Sequence, residues 1–130
     1  MTGQRLLLDT HALLWWVANG PALSVGADAA IGESTNEVYV SAASAWEVTT
    51  KARIGKLVAG PLAADFCAEV RRQGFLPLPI TIEHGQRAGN LPGHHRDPFD
   101  RMLIAQAHAE GLTLVSNEQI FDRYGVTRLW

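Results

Sequence analysis

The run Leu6-Leu7-Leu8 is apolar at three consecutive positions and stops abruptly at Asp9. A strand apolar on both faces belongs inside a parallel sheet covered by helices, whereas a half-solvated strand would alternate. A carboxylate at the end of such a strand is costly unless solvated or paired. The carboxyl ends of strands are also where open α/β sheets hold ligands. Three further acids fall in comparable places. Glu47 lies in Ser44-Ala45-Trp46-Glu47-Val48, Asp100 opens the run to Ala107, and Glu118 follows Leu112 to Asn117. Four acids far apart in sequence but placed alike suggest a carboxylate cage for a divalent cation.

The rest of the chain supplies helices between strands. Arg5 to Leu8 reads as a strand, and Thr10 as the cap of a helix through Ala12, Leu13, Leu14, Trp16 and Val17. Ser24 caps a second helix, and Glu37 to Val40 is a second strand. Ser41 caps a helix from Ala42 to Ile54 that stops at Gly55. Pro61 suits the first turn of one helix running to Arg72. Phe75 to Ile80 is extended, but Pro77 and Pro79 confine it to an edge strand or a loop. Thr81 caps a short helix from Ile82 to Ala88, and Asn90 to Arg96 is a loop. Asp97 caps a helix with Pro98 at its first position, ended by Gly111. Leu112 to Val115 is a strand, Glu118 to Tyr124 one or two helical turns, and Val126 to Leu129 a last edge strand. Alternating strands and helices predict an α/β fold, a three-layer α/β/α sandwich around a mostly parallel sheet. Right-handed crossovers bring the strand carboxyl ends to one rim. Asp9 and Glu118 reach that rim directly. Glu47, two turns into its helix, and Asp100, one turn into its own, reach it if those helices pack beside the first strand.

With 130 residues, 47% hydrophobic and 18% charged, the chain fits a single globular domain, 1–130, rather than a disordered one. A net charge of −2 offers little counterion release on a nucleic-acid backbone. Any polyanionic ligand therefore needs metal ions or a local basic patch. The candidates are His94-His95-Arg96 with Arg101, and Lys51 with Arg53 and Lys56. The single cysteine, Cys67, excludes an internal disulfide or zinc–thiolate cluster and reads as a core thiol beside Phe66 and Val70. Trp46 reads as core, His84 and His108 as surface groups, and Trp130 is uninformative. Trp15 and Trp16 point to different sides of one helix, so only one is core. No apolar run approaches the roughly 20 residues of a spanning helix. A soluble, cytoplasmic protein without membrane contact is expected.

Each acid taken alone reads equally as a helix cap, a dipole partner or a solvated group. Asp97-Pro98 is foremost a cap followed by a first-position proline, and Asp100 would favour the same helix dipole. Asp9 is harder to explain as structure, because it ends an apolar strand. Glu47 is set among Ala43, Ala45, Trp46 and Val48, where a solvated face would be more polar. Spacing alone leaves cage and caps both open.

Four segments, in order, carry a resemblance. They are Leu8-Asp9-Thr10-His11, Ser44-Ala45-Trp46-Glu47, His95-Arg96-Asp97-Pro98-Phe99-Asp100-Arg101-Met102-Leu103-Ile104-Ala105-Gln106-Ala107, and Leu114-Val115-Ser116-Asn117-Glu118. Together they resemble the PIN domain, and most closely the VapC-type toxins of bacterial toxin–antitoxin pairs. The resemblance covers essentially the whole chain, and its most specific stretch is His95 to Ala107. It implies a Mg2+- or Mn2+-dependent ribonuclease in which Asp9, Glu47 and Asp100 are catalytic and hold the metal. Glu118 is the fourth metal-binding position. The family usually has Asp there, two residues after Thr or Ser. Here the longer Glu118 follows Ser116, and its extra methylene moves the carboxylate outward. Thr10, Asp97 and Ser116 would support the ligands from behind. His11, His95, Arg96 and Arg101 would contact RNA. The implied partners are an RNA substrate, a cognate VapB-like antitoxin that blocks the cleft, and a second copy in a homodimer. One of Trp15 and Trp16 would serve such a contact.

Two alternatives stand beside this. A metal-dependent phosphohydrolase of the haloacid dehalogenase type wants a second Asp two positions after the first, where this chain has His11. A catalytically silent PIN-like domain that binds RNA or protein is allowed by Glu118. Three carboxylates meeting in one cleft repel, so a metal ion or a cationic side chain is expected among them.

Overall fold

The computed structural model describes residues 3–93 and 95–130. Five strands form one sheet in the order β3-β2-β1-β4-β5, with every neighbouring pair parallel. They are β1 (Arg5–Leu8), β2 (Glu37–Ser41), β3 (Leu76–Leu78), β4 (Thr113–Val115) and β5 (Arg128–Leu129). The helices are α1 (Thr10–Val17), α2 (Val25–Gly32), α3 (Ala42–Arg53), α4 (Pro61–Ala64), α5 (Phe66–Arg72), α6 (Ile82–Asn90) and α7 (Pro98–Glu110). A 3-10 helix spans Gln119–Tyr124.

Side chains on a strand alternate between faces, and here both faces are buried. Leu6 and Leu8 point into a core built with Ala12, Leu13, Ile31, Val48, Leu62 and Val70 from α1 to α5. Leu7 points the other way, to Leu103, Ile104 and Ala107 of α7 and to Phe121. Each fully buried leucine contributes roughly 1.5–3 kcal/mol. The expected three layers are present, and all five strands are parallel. Pro77 lies in the edge strand β3, where its missing N–H is tolerated. β1 is central: β2 and β3 extend the sheet to one side of it, and β4 and β5 to the other. The strand order reverses there, which opens a crevice at the carboxyl ends of β1 and β4.

Local chemistry departs from expectation at several points. Asp9, not Thr10, caps α1; its carboxylate accepts the Ala12 N–H at 2.8 Å. The expected helix from Pro61 to Arg72 is broken at Asp65, whose extended backbone (φ −157°) ends α4 and whose carboxylate caps α5 through the Ala68 N–H. An Asp side chain competes for backbone N–H groups in this way. Cys67 is exposed rather than core. Trp46 is likewise exposed, because α3 turns its neighbours Glu47 and Val48 inward instead. Trp15 and Trp16 are both half-buried. Trp15 packs against His11 and Trp130, and Trp16 against Phe75 while donating to Gln73. No helix among the described residues is long and apolar enough to cross a membrane.

His84, expected at the surface, is 1% exposed. Its Nδ1 accepts the Thr81 N–H at 3.0 Å while the His84 N–H donates to the Thr81 hydroxyl, which closes a reciprocal cap on α6. Nε2 therefore carries the ring hydrogen and meets Glu110 at 2.8 Å. Gln106 lies beside this ring and accepts the Ser41 hydroxyl at 2.6 Å, tying the start of α3 to α7. His84→Ala removes a cap and a buried packing group and leaves buried polar atoms unpaired, so we expect a loss of about 2–4 kcal/mol. Urea denaturation measures it; a loss under about 0.5 kcal/mol contradicts this role.

Candidate active site

The crevice at the end of β1 and β4 collects the predicted acids from four elements. Asp9 follows β1, and its own N–H donates to Val115 O at 3.1 Å, which fixes it against the end of β4. It is 2% exposed. Burial pushes its carboxyl above the usual range, while hydrogen bonds from the Ser116 hydroxyl and the Ala12 N–H, and the nearby His11, pull it back; Glu118 adds to the rise. Ser116 is buried at the end of β4, and its Oγ also accepts the Glu118 N–H at 3.0 Å.

Glu47 is 4% exposed, and both its oxygens are engaged. The Thr10 hydroxyl donates to Oε1 at 2.7 Å, and the Lys51 ammonium, one turn on, contacts Oε2 at 2.5 Å. Since Thr10 has one hydrogen to give, Ser44, 3.0 Å away, is the donor in that second contact. The hydrogen bond to Glu47 holds the Lys51 ammonium above its ordinary pKa, against desolvation; the charges of Glu47, Asp97 and Asp100 add to it. Lys51 therefore stands in the combined field of three of the acids.

Asp100 is raised to about 6, chiefly by burial, with Asp97 and Glu118 adding to the rise; the hydrogen bond and charge of His95 oppose it. His95 Nε2 lies 2.8 Å from Asp100 Oδ2, and the His95 backbone N–H is held by the Tyr124 hydroxyl. Asp97 caps α7 through the Phe99 and Asp100 N–H groups. Glu118 is half-buried and acts electrostatically on both Asp9 and Asp100.

Glu118 thus acts on both Asp9 and Asp100, and Lys51 stands between Glu47 and the charges of Asp97 and Asp100, but among the described residues no three His, Cys, Asp or Glu side chains stand in ligating geometry around one point. The donor set suits a hard divalent cation in kind, being carboxylate and hydroxyl oxygen. In this arrangement Lys51 engages Glu47 and His95 engages Asp100. Both must release their carboxylates before those oxygens could serve an ion.

Of the residues expected at phosphate, His11 is exposed beside Asp9 and against Trp15, and Arg96 is exposed with no carboxylate partner among the described residues. Arg101 is committed elsewhere. Its guanidinium donates to the carbonyls of Ala88 (3.0 Å), Leu91 (2.6 Å) and His95 (3.3 Å), so it pins the loop that carries His95 rather than projecting toward a ligand. His94 lies outside the described residues. Sequence reasoning missed Ser44 and missed Lys51 as the partner of Glu47, although the four-residue spacing of Glu47 and Lys51 on one helix was a usable signal.

Asp100 gives a pH signature. Its folded-state pKa lies above the ordinary 3.8, so the stability it contributes is fully present below that value and is lost as pH rises through about 6. Without divalent metal the unfolding free energy should fall by an amount on the order of 3 kcal/mol as pH rises from about 4 to 7, and the thermal midpoint should fall with it. Asp100→Asn should flatten that slope. An unchanged slope in the variant contradicts the assignment.

Comparison with known proteins places this geometry in context. The PIN domain family model matches residues 6–126. The chain is 30% identical over 118 residues to ribonuclease VapC22 of Mycobacterium tuberculosis, covering 88% of this chain and 87% of that one. Its fold is similar to M. tuberculosis VapC20, a Sarcin-Ricin loop cleaving toxin, with TM-score 0.70 and 15% identity over 94% of this chain and 96% of that one. It is also similar to VapBC2 of Rickettsia felis bound to a promoter DNA fragment, with TM-score 0.70 and 16% identity over 96% and 97% of the two chains.

Proposed function

The chain belongs to the PIN domain family, and from that premise we propose that it is a Mg2+- or Mn2+-dependent endoribonuclease, the toxin of a toxin–antitoxin pair. The observation that carries the reading is the placement of buried Asp9 and Glu47 and half-buried Asp100 near the point where the strand order reverses. Nothing in the packing of the fold requires three carboxylates there, and their mutual repulsion opposes it. The relative that is 30% identical is a ribonuclease, and toxin–antitoxin assemblies share the fold.

A divalent ion bound there would supply positive charge, acidify a water for attack on the phosphodiester and offset charge on the leaving oxygen. The chain's own residues prepare that step. Thr10, backed by Ser44, fixes the orientation of Glu47. The Ala12 N–H fixes Asp9, and Ser116 lies behind it. His95 holds Asp100 until its place is taken. Because Asp9 and Asp100 bind a cation only as carboxylates, affinity for the ion should strengthen as pH rises through about 6. Asp97 acts through the helix it caps. Glu118 acts at longer range, and Arg96 and His11 are the exposed groups placed to meet RNA. An antitoxin and a second copy of the chain are the proposed protein partners, and the cytoplasm the compartment.

A second reading, a silent domain that only binds, draws on the engaged oxygens of Glu47 and on Glu118 in place of Asp. A dehalogenase-type phosphohydrolase lacks support, since His11 occupies the position of its second Asp.

The variant Asp9→Asn keeps size and removes charge. Cleavage of single-stranded RNA with Mn2+ should fall by more than the roughly 10- to 100-fold that loss of a supporting group causes. Growth inhibition should vanish and the fold be kept or strengthened. Asp97→Asn should be milder, since Asn caps as well as Asp. Glu118→Gln should keep part of the activity, and Glu118→Asp should tighten metal binding. Undiminished cleavage by folded Asp9→Asn overturns the reading, and Glu118→Gln as inactive as Asp9→Asn makes Glu118 a full ligand.

A further inference from the structure

Trp46 is 64% exposed, although the next residue, Glu47, is almost wholly buried. Consecutive positions on a helix diverge by about 100°, so the helix that aims Glu47 into the crevice sets Trp46 on its lip. The indole ring packs only in part, in a T-shaped contact with Phe99 at 5.1 Å between ring centres. Phe99 in turn immediately precedes Asp100. Two aromatic residues on α3 and α7 thus touch one another directly beside two of the acids.

The charge balance makes such a surface consequential. The protein is net negative, and its crevice is acidic. Of the expected cations, Lys51 is engaged by Glu47 and Arg101 by three carbonyls. Arg53, two turns along α3 on the Trp46 side, Lys56 and Arg96 are exposed. So few free cations give weak phosphate attraction. Beyond what a cation held by the acids would supply, affinity for RNA has to draw on a contact that does not depend on charge. Stacking of a base on an aromatic ring is such a contact, and it tolerates sequence because every base has a π-face.

We propose that Trp46, buttressed by Phe99, is a stacking subsite for an unpaired nucleobase next to the phosphodiester held at Asp9, Glu47 and Asp100. The inference rests on the RNA-cleaving reading above and adds to it a residue that holds one base, which must be unpaired to splay onto the ring.

The test compares wild type, Trp46→Phe and Trp46→Ala on a single-stranded oligoribonucleotide with Mn2+, and on copies carrying one abasic nucleotide at each position flanking the cut. Losing one stacked base corresponds to about a 5- to 150-fold weakening. Trp46→Ala should raise KM within that range with kcat within about twofold of wild type, while Trp46→Phe stays near wild type. One abasic position should cause the same loss in wild type and no further loss in Trp46→Ala. A purely structural role for Trp46 gives losses that add at every abasic position, and that result overturns the proposal. So does an unchanged KM in Trp46→Ala, or an effect confined to the pairing of two copies or to binding of a protein partner. Binding of labelled oligouridylate by anisotropy separates the two readings. Trp46-dependent binding without any cleavage by wild type overturns the nuclease reading and upholds the stacking subsite; cleavage with Trp46-independent binding and KM does the reverse.

Discussion

Bringing several carboxylates out of water into one crevice is the constraint on which the rest of this structure depends. Two like charges about 4 Å apart repel by roughly 4 kcal/mol at an effective dielectric constant near 20. That is a large share of the 5–15 kcal/mol by which a domain is stable. The fold meets the cost with local donors. Asp9 takes the Ala12 N–H of α1, Glu47 takes the Thr10 hydroxyl and the Lys51 ammonium, and Asp100 takes His95. What is not compensated appears as carboxyls that hold their protons more tightly, at Asp9 and at Asp100. The parallel sheet is what makes the convergence possible, because it places β1 at its centre and turns its carboxyl end toward that of β4.

Much of this was legible in the sequence where one physical rule dominates. The run Leu6-Leu7-Leu8 could only be a strand buried on both faces, and Asp97-Pro98 and Gly111 could only open and close a helix. Gly111 sits in the left-handed region at φ 66°, where other residues are strained. The rim position of Asp9 followed from the same reasoning. Where two rules compete, the sequence was silent. Asp9 and Thr10 are both capping residues, and only the packing of α1 on α3 decides that Asp9 caps and Thr10 turns to Glu47. Asp65 is compatible with a continuous helix until its side chain takes the Ala68 N–H. The burial of His84 depends on Glu110, 26 residues away, and no local pattern announces it. Cys67 and Trp46 lie on helices whose buried face was assigned from their neighbours, and the helix turned the other way.

The site and the surface around it have opposite characters. The crevice is acidic, and Asp9, Glu47 and Asp100 in it are each hydrogen-bonded. Its lip, formed by Trp46 and Phe99 with Arg53 and Arg96 near by, is exposed and sparsely charged. On the proposed reading, a polyanionic substrate would be drawn in by aromatic contact and by whatever cation the acids hold, not by the protein's overall charge. Lys51 and His95 are the residues through which these two requirements meet, since each occupies a carboxylate that a cation would claim.

Calorimetric titration of the metal-free protein with Mn2+, in two buffers of different ionisation enthalpy, tests this balance most directly. Asp100, whose carboxyl is raised to about 6, retains protons at pH 6 that a bound cation must expel, so binding at pH 6 should release protons, with fewer released at pH 8. Absence of binding at either pH, or binding with no proton release at pH 6, would contradict the account.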